Sequence, residues 1–187
     1  MPEIIAEDVV HDGWGRFLLA RLRLPSGEEI TREIEDHGAA VAVLPYDPAR
    51  RVATLVSQLR PPLLYAEGLT EILEAPAGRV EDSDPEADAR REAVEEVGLK
   101  LGRLDHVVTA WSQPGVSTER VGLYLASYGD ADRVGEGGGL AEEGEAVRIV
   151  EMPLAELGRM TDRGELVDMK TALLVMALRL RRPELFG

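Results

Sequence analysis

Residues 78–99, GRVEDSDPEADARREAVEEVGL, predict one acidic helix with a clear start and a clear end. Asp84 can accept hydrogen bonds from the free amide groups of a first helical turn, and Pro85 is favoured at the first helical position. Gly98 is a typical C-terminal stop. The sequence therefore predicts a helix of about three and a half turns between these residues.

The two faces of this helix differ in character. Three glutamates share one face: Glu92, Glu95 and Glu96. Their i, i+3, i+4 spacing puts the three carboxylates on a single surface, which we call the carboxylate patch. The opposite face is apolar and is predicted to face the core through Ala93, Val94 and Val97.

Three interpretations of the carboxylate patch follow from its charge. Like charges at this spacing weaken an isolated helix by ~0.2–0.5 kcal/mol per pair, so a positive group is expected beside them. Arg91, four residues before Glu95, can supply part of that charge. A hard divalent cation such as Mg2+ or Mn2+ can also supply it, because such ions prefer oxygen ligands. A plain solvated face is the third interpretation, and the spacing alone does not choose between them.

The composition argues against several classes of function. The chain has 187 residues, with 21 Lys and Arg against 35 Asp and Glu, and its formal net charge of −14 repels nucleic acid backbones and anionic lipid. An anionic ligand would therefore need a metal ion or a few well-placed arginines. Cysteine is absent, which excludes disulfides and fits a reducing cytoplasm. With neither a secretory signal nor an apolar run of ~20 residues, we expect a cytoplasmic protein.

Alternating apolar and polar residues predict strands along most of the remaining chain. Two short strands flank a Pro-Ser-Gly turn within residues 13–35, which indicates an N-terminal hairpin. One short run and five longer runs are further predicted strands: 70–75, 37–47, 51–60, 104–113, 117–128 and 146–152.

Helical patterns are fewer. They occur at residues 153–160 and 169–182. Residues 61–69 have no clear period and are predicted to form a loop, and the glycine-rich residues 129–145 have the composition of a surface loop. Mixed strands with two or three helices predict an α/β or α+β sandwich.

The acidic helix resembles the second half of the Nudix box, the sequence pattern of a hydrolase family. That pattern reads Gly, five residues, Glu, seven residues, then Arg-Glu-apolar-x-Glu-Glu-x-Gly-apolar. Residues 91–99, REAVEEVGL, match the second half at every position. The first half departs from the pattern, because Gly78 lies one residue too close and Ser83 or Asp84 replaces the isolated Glu.

The resemblance covers most of the chain. Within the wider ADP-ribose pyrophosphatase group, the chain is similar to the GDP-mannose hydrolase branch. The further matching segments, in chain order, are LVSQLRPP, EAPAG, SQPGVSTE, the Gly-Gly-Gly run and DMKTALL. Pro114 stands fifteen residues beyond Leu99, a spacing associated with nucleoside diphosphate sugar substrates in this family. The resemblance implies a Nudix-type α/β/α sandwich with a mixed sheet and an N-terminal β-hairpin extension.

The resemblance also implies a domain organisation and an activity. Residues 1–36 are expected to be a strand extension that forms a homodimer, and residues 37–187 the Nudix hydrolase domain. The implied reaction is Mg2+-dependent cleavage, with Mn2+ as an alternative metal, of a nucleoside diphosphate sugar of the ADP-ribose or GDP-mannose type. Its products would be a nucleoside monophosphate and a sugar phosphate. Another nucleoside diphosphate-linked substrate, or a non-catalytic domain that binds a nucleotide sugar, are the alternatives.

The implied site residues come from several segments. The expected metal ligands are the carbonyl of Ala77 and the carboxylates of Glu92, Glu95 and Glu96, with Glu96 also essential for catalysis. A Glu of the glycine-rich loop is expected as general base, in the order of preference Glu143, Glu145, Glu142; the alternative is a solvated acidic loop. The expected substrate-binding residues are Arg60, Glu74 and Trp14. The alternatives are a surface ion pair for Arg60, a strand-end carboxylate for Glu74 and a buried structural tryptophan for Trp14.

Overall fold

The computed structural model describes residues 1–81, 84–140 and 146–187. The chain forms two compact units. The first contains residues 1–40 and 109–121, and the second contains residues 41–108 and 122–187. Strands and helices alternate along the chain after an N-terminal group of strands, which confirms the predicted α/β class and its N-terminal hairpin.

The first unit contains a three-stranded antiparallel sheet. Its strands are β1 (Glu3–Asp12), β2 (Arg16–Arg23) and β3 (Glu29–Asp36), in that spatial order. β2 and β3 form the predicted hairpin, and Gly27 in its turn has a φ of 86°, a left-handed conformation that favours glycine. The sequence does not predict β1, because most of its residues are exposed and it lacks an apolar alternation.

Most residues of a seven-stranded sheet belong to the second unit. Its strands are β4 (Ala39–Asp47), β5 (Val52–Ser57), β6 (Leu73–Glu74), β7 (Ala77–Arg79), β8 (Asp105–Trp111), β9 (Arg120–Ser127) and β10 (Arg148–Pro153). The order is β10-β5-β4-β9-β8, and the short strands β6 and β7 pair with β5 and β4. β4 and β5 are almost entirely buried, which explains why both read as continuous apolar runs.

Four α-helices occur among the described residues: α1 (Pro61–Glu67), α2 (Pro85–Val97), α3 (Leu154–Arg163) and α4 (Met169–Arg181). Helix α2 packs on the sheet by burying Ala89, Ala93 and Val97. Helices α3 and α4 contact each other, and each contributes leucines that are completely buried. No helix in the described ranges is long and apolar enough to cross a membrane.

Helix α1 corrects the prediction of a loop at residues 61–69. Two prolines begin it, which suits a first helical turn, and Gly68 ends it with a φ of 72°. None of its residues is buried, so it has no apolar stripe from which a helical period could be read.

A network of ion pairs connects the chain just before β5 with the end of β10. The guanidinium of Arg50 contacts Asp47 at 2.7 Å and Glu151 at 2.7 Å, and it donates to the hydroxyl of Tyr128 at 3.0 Å. Hydrogen bonds from Arg50, and then from Arg133 and Tyr128, hold the pKa of Glu151 at about 2. Glu151 therefore stays ionised across the whole range in which carboxylates normally titrate.

Candidate active site

The ends of helix α2 form as the sequence predicts. The Asp84 side chain accepts a hydrogen bond from the amide of Ala87 at 3.2 Å, and Pro85 occupies the first turn. Gly98 adopts the left-handed conformation, with a φ of 66°. One residue of the predicted core face differs: Val94 is 39% exposed, so it lies at the edge of that face.

Glu96 is the most buried member of the carboxylate patch, with 2% of its surface exposed. Its Oε2 accepts a hydrogen bond from the amide of Ala77 at 3.0 Å, and its Oε1 accepts one from Gln58 Nε2 at 3.2 Å. Two predicted metal-ligating residues, Ala77 and Glu96, are therefore in direct contact. Both donors to Glu96 are amide groups.

Arg91 neutralises part of the charge of the other two glutamates. One guanidinium nitrogen lies 2.8 Å from Glu92 Oε1, and another lies 2.7 Å from Glu95 Oε2. Partial burial acts to lower the pKa of Arg91, but Glu92 and Glu95 outweigh it and hold that pKa above its ordinary value. Arg91, which the i, i+4 spacing predicts as a partner of Glu95, thus supplies positive charge to the carboxylate patch.

Gly78 allows the carboxylate of Glu92 to lie against the chain. A Cβ at position 78 would stand 1.9 Å from Glu92 Oε1, which is far inside any van der Waals contact. The first half of the motif departs from the family pattern, but its Gly78 leaves space for the Glu92 carboxylate of the second half.

The oxygens gathered here have the chemistry that a hard divalent cation prefers. The carboxylates of Glu92, Glu95 and Glu96 lie on one helix, and the main chain of Ala77 is hydrogen bonded to Glu96. The space that Gly78 leaves beside Glu92 adds a further fit. Within the described ranges, however, no three His, Asp or Glu side chains already surround a common cation position. The residues suit a divalent metal by donor type, and Arg91 is the group a metal would compete with at Glu92 and Glu95.

Arg60 and Glu74, both predicted to bind substrate, form a bidentate ion pair. Arg60 Nε and Nη2 donate to the two carboxylate oxygens of Glu74 at 2.6 Å and 2.9 Å. Burial acts to lower the pKa of Arg60, but the hydrogen bonds and charge of Glu74 and the charge of Glu96 raise it. The Glu74 side chain is buried, whereas 37% of the Arg60 side chain is exposed. The pair therefore presents a fixed positive group close to the carboxylate patch.

Trp14 belongs to the first unit. It is 72% exposed, which contradicts the alternative of a buried structural tryptophan. Its ring lies 5.2 Å from the ring of His37, measured between centroids. The indole thus offers a broad surface to solvent, a property that suits stacking on a flat ligand.

The glycine-rich loop is fastened to the end of helix α2. The amides of Gly138 and Gly139 donate to the carbonyls of Glu96 and Glu95 at 2.9 Å and 3.1 Å. After the loop, the amide of Val147 returns to the carbonyl of Gly138 at 3.1 Å. The three general-base candidates lie outside the described residues: Glu142, Glu143 and Glu145. The chain before them is hydrogen bonded to the helix that carries the carboxylate patch, and the chain after them is hydrogen bonded to Gly138.

Sequence reasoning missed two side chains that support the patch. Gln58 contacts Glu96, as described above. Asp88 is 5% exposed, accepts a hydrogen bond from the amide of Glu81 at 3.2 Å and lies 3.4 Å from Arg91. Asp88 thereby supplies a carboxylate near Arg91 in a chain that lacks the isolated Glu of the motif. The i, i+3 spacing of Asp88 and Arg91 was the signal that could have found it.

Comparison with known proteins gives consistent matches. A family model described as the NUDIX domain matches residues 36–170. A GDP-mannose pyrophosphatase of Cronobacter sakazakii is 36% identical over 152 residues, covering 80% of this chain and 78% of that protein. A GDP-mannose pyrophosphatase of Pectobacterium atrosepticum is 32% identical over 181 residues, covering 92% and 91%. The crystal structure of an ADP compounds hydrolase superposes with a TM-score of 0.77 at 17% identity, covering 98% and 95%, which shows a shared fold.

Proposed function

The chain belongs to the Nudix family of pyrophosphate hydrolases, and from this we propose that it is a Mg2+-dependent hydrolase of a nucleoside diphosphate sugar. The substrate class is that of ADP-ribose and GDP-mannose, and the products are a nucleoside monophosphate and a sugar phosphate. The GDP-mannose pyrophosphatases that resemble this chain over most of their length support the nucleotide-sugar class.

One observation carries the proposal: the buried Glu96 is hydrogen bonded to the main chain of Ala77 and shares a helix face with Glu92 and Glu95. We call the Ala77 carbonyl and these three carboxylates the metal platform. When bound there, a divalent cation neutralises the pyrophosphate charge and activates the attacking water. Glu96 is held by Ala77 of β7 and by Gln58, the residue after β5, so its carboxylate is oriented before any ligand arrives.

Arg60 is proposed to bind the diphosphate or the sugar phosphate. Glu74 holds the Arg60 guanidinium in one orientation through two short hydrogen bonds, while 37% of the Arg60 side chain stays exposed. An arginine oriented in this way can bind a phosphate oxygen with little loss of side-chain entropy. In a protein of net charge −14, such a group is needed to attract an anionic substrate.

The general base is proposed to be Glu143, with Glu145 as the second candidate. The support is the anchoring of the flanking residues: Gly138 and Gly139 are hydrogen bonded to the last turn of helix α2, and Val147 is hydrogen bonded to Gly138. A base on such a loop can approach the reacting water when substrate is bound.

The N-terminal residues 1–36 are proposed to form the contact between two subunits of a homodimer, with the exposed Trp14 available to stack on a nucleobase. The homodimer is implied by the family resemblance, and the cytoplasmic location is a prediction from the sequence. Sedimentation equilibrium of the whole chain would report the subunit number, and steady-state kinetics of Trp14→Ala would report the effect of the indole on KM.

The proposal is tested by incubating the protein with ADP-ribose, GDP-mannose and other nucleotide sugars, with Mg2+ or Mn2+, and identifying the products by mass spectrometry. A nucleoside monophosphate and a sugar phosphate are expected in equal amounts. Glu96→Gln should lower kcat by orders of magnitude with the fold retained. Glu86→Gln is the matched control, because Glu86 is an exposed acid of the same helix that pairs with Arg90. Saturable binding without turnover of any of these compounds would refute the enzymatic proposal.

A further inference from the structure

Thr171 lies in the first turn of helix α4 and is completely buried. Its hydroxyl donates to Asp168 Oδ2 at 2.6 Å and accepts from the amide of Ala75 at 2.7 Å. A hydroxyl carries one proton, so the donation to Asp168 leaves its lone pairs for the Ala75 amide. The two hydrogen bonds therefore fix each other's direction.

Two further hydrogen bonds hold the Asp168 carboxylate in place. Its carboxylate also accepts from the amide of Thr171 at 2.9 Å and from Lys170 Nζ at 2.7 Å. Burial acts to raise the pKa of Asp168, but the charge of Lys170 and the hydrogen bonds hold it below its ordinary value. An ionised carboxylate is a strong acceptor, so the Thr171 hydroxyl has one well-defined orientation.

The chain segment whose amide donates to the Thr171 hydroxyl leads directly to the metal platform. Ala75 is held by Thr171, the carbonyl of Pro76 accepts from the amide of Val43 at 2.9 Å, and the amide of Ala77 donates to Glu96 at 3.0 Å. The ring of Pro76 fixes its φ at about −65° and so removes one of the torsions between the Ala75 amide and the Ala77 carbonyl. Consecutive residues 75, 76 and 77 are thus each held by a hydrogen bond, to Thr171, Val43 and Glu96.

We propose that Thr171 is a positioning residue for the metal platform. Its hydroxyl, oriented by Asp168, holds residues 75–77 so that the Ala77 carbonyl and the Glu96 carboxylate keep a fixed relative position. Helix α4 is thereby tied to the acidic helix α2 through residues 75–77, which precede both helices in sequence. This inference rests on the metal site of the proposed function.

The test compares three threonine variants. Thr171→Val keeps the branched shape and removes both hydrogen bonds, whereas Thr171→Ser keeps the hydroxyl. Thr54→Val is the matched control, because Thr54 is also completely buried and its hydroxyl bonds to Tyr128 at 2.7 Å in a different network. All three are first checked for folding by circular dichroism and thermal melting.

Mn2+ binding to the nucleotide-free protein is measured by electron paramagnetic resonance, which reads the platform without turnover. Thr171→Val should weaken Mn2+ binding roughly 10- to 100-fold, as loss of a group behind a metal ligand commonly does. Thr171→Ser should stay within about threefold of the wild type, because the hydroxyl is restored. Thr54→Val should bind Mn2+ like the wild type even where its melting temperature falls.

The metal dependence of turnover gives a second measurement. Thr171→Val should raise the Mg2+ concentration needed for half-maximal rate, while KM for the nucleotide sugar at saturating Mg2+ stays near that of the wild type. A merely structural role would lower the amount of active protein without shifting the Mg2+ dependence.

Several results would overturn the inference. Unchanged Mn2+ affinity in folded Thr171→Val is one, and equal weakening in Thr54→Val is another. If Thr171→Val does not fold, Thr171→Ala replaces it, because it removes the same two side-chain hydrogen bonds without placing a methyl group against the Asp168 carboxylate; unchanged Mn2+ affinity there would refute the inference. A wild-type protein that binds no Mn2+ would refute the proposed metal site as well, whereas wild-type binding with an unaffected Thr171→Val refutes this inference alone.

Discussion

Gly78→Ala is expected to lower kcat about 100-fold, or about 2.7 kcal/mol of activation free energy, by displacing one carboxylate of the metal platform. A Cβ at position 78 would stand 1.9 Å from Oε1 and 2.1 Å from Cδ of Glu92. The carboxylate must therefore retreat by about 1.5 Å to reach an ordinary contact distance. A misplacement of about 1 Å at a reacting centre commonly costs 10²-fold in rate, which sets the size of the expected effect.

The same substitution should leave the fold intact. The backbone at Gly78 is outside the left-handed region, so alanine is not strained there, and the clash involves the end of a flexible side chain. The free energy of unfolding should change by no more than about 1 kcal/mol. Steady-state kinetics at saturating Mg2+ and thermal melting give the two numbers. Gly102→Ala is the control, because a Cβ at position 102 would meet nothing within 4 Å.

A double-mutant cycle separates displacement of Glu92 from any general effect of the added methyl group. In a Glu92→Ala background there is no carboxylate to displace, so Gly78→Ala should add no further loss. The reasoning is refuted if Gly78→Ala lowers the rate by the same factor in that background. It is equally refuted if the single variant keeps a rate within about threefold of the wild type, since a 1.5 Å displacement of a ligand should cost more.

Three further predictions concern other parts of the molecule. Glu151→Gln should lower the free energy of unfolding at pH 7 by on the order of 1 kcal/mol, a figure reduced for solvent screening because the side chain is partly exposed. The pKa of Glu151 in the folded protein, about 2, lies below its ordinary value of 4.5, so this contribution is present above pH 4.5 and is lost as the pH falls toward 2. The melting temperatures of wild type and variant should therefore converge in acid. Asp88→Asn should lower kcat by about 3- to 10-fold, since the ionic contact with Arg91 is lost while an acceptor for the Glu81 amide remains; an unchanged kcat would show that Asp88 does not support the patch. Of Glu143→Gln and Glu145→Gln, the variant that removes the general base should lose about 10²–10⁴-fold in kcat with little change in KM, and equal mild losses in both would place the base elsewhere.

The parts of the fold that the sequence predicts are those fixed by neighbours in sequence. Asp84, Pro85 and Gly98 set the ends of helix α2, because caps act over one turn. The buried strands β4 and β5 were recognisable from their apolar runs. Strand β1 and helix α1 were not, because an exposed edge strand and an unburied helix carry no hydrophobic period.

The candidate site divides in the same way. The carboxylate patch and Arg91 are local to one helix, so spacing alone placed them together. The contacts of Glu96 with Gln58 and Ala77 join residues 38 and 19 positions apart, and that of Thr171 with Ala75 joins residues 96 positions apart. No spacing rule reaches such pairs. The resemblance to the Nudix box suggested which segments meet, but not which atoms hold them.

The two kinds of support at the carboxylate patch have different consequences for a cation. Glu92 and Glu95 contact the guanidinium of Arg91, so a cation that binds them must displace or share a positive group. Glu96 accepts hydrogen bonds from the amides of Gln58 and Ala77, which orient its oxygens. Because its carboxylate is both oriented and buried, we expect Glu96 to contribute more to metal affinity than either neighbour. The ion pairs of Glu92 and Glu95 with Arg91 are then compatible with the proposed metal site, because less of the affinity is expected from those two residues.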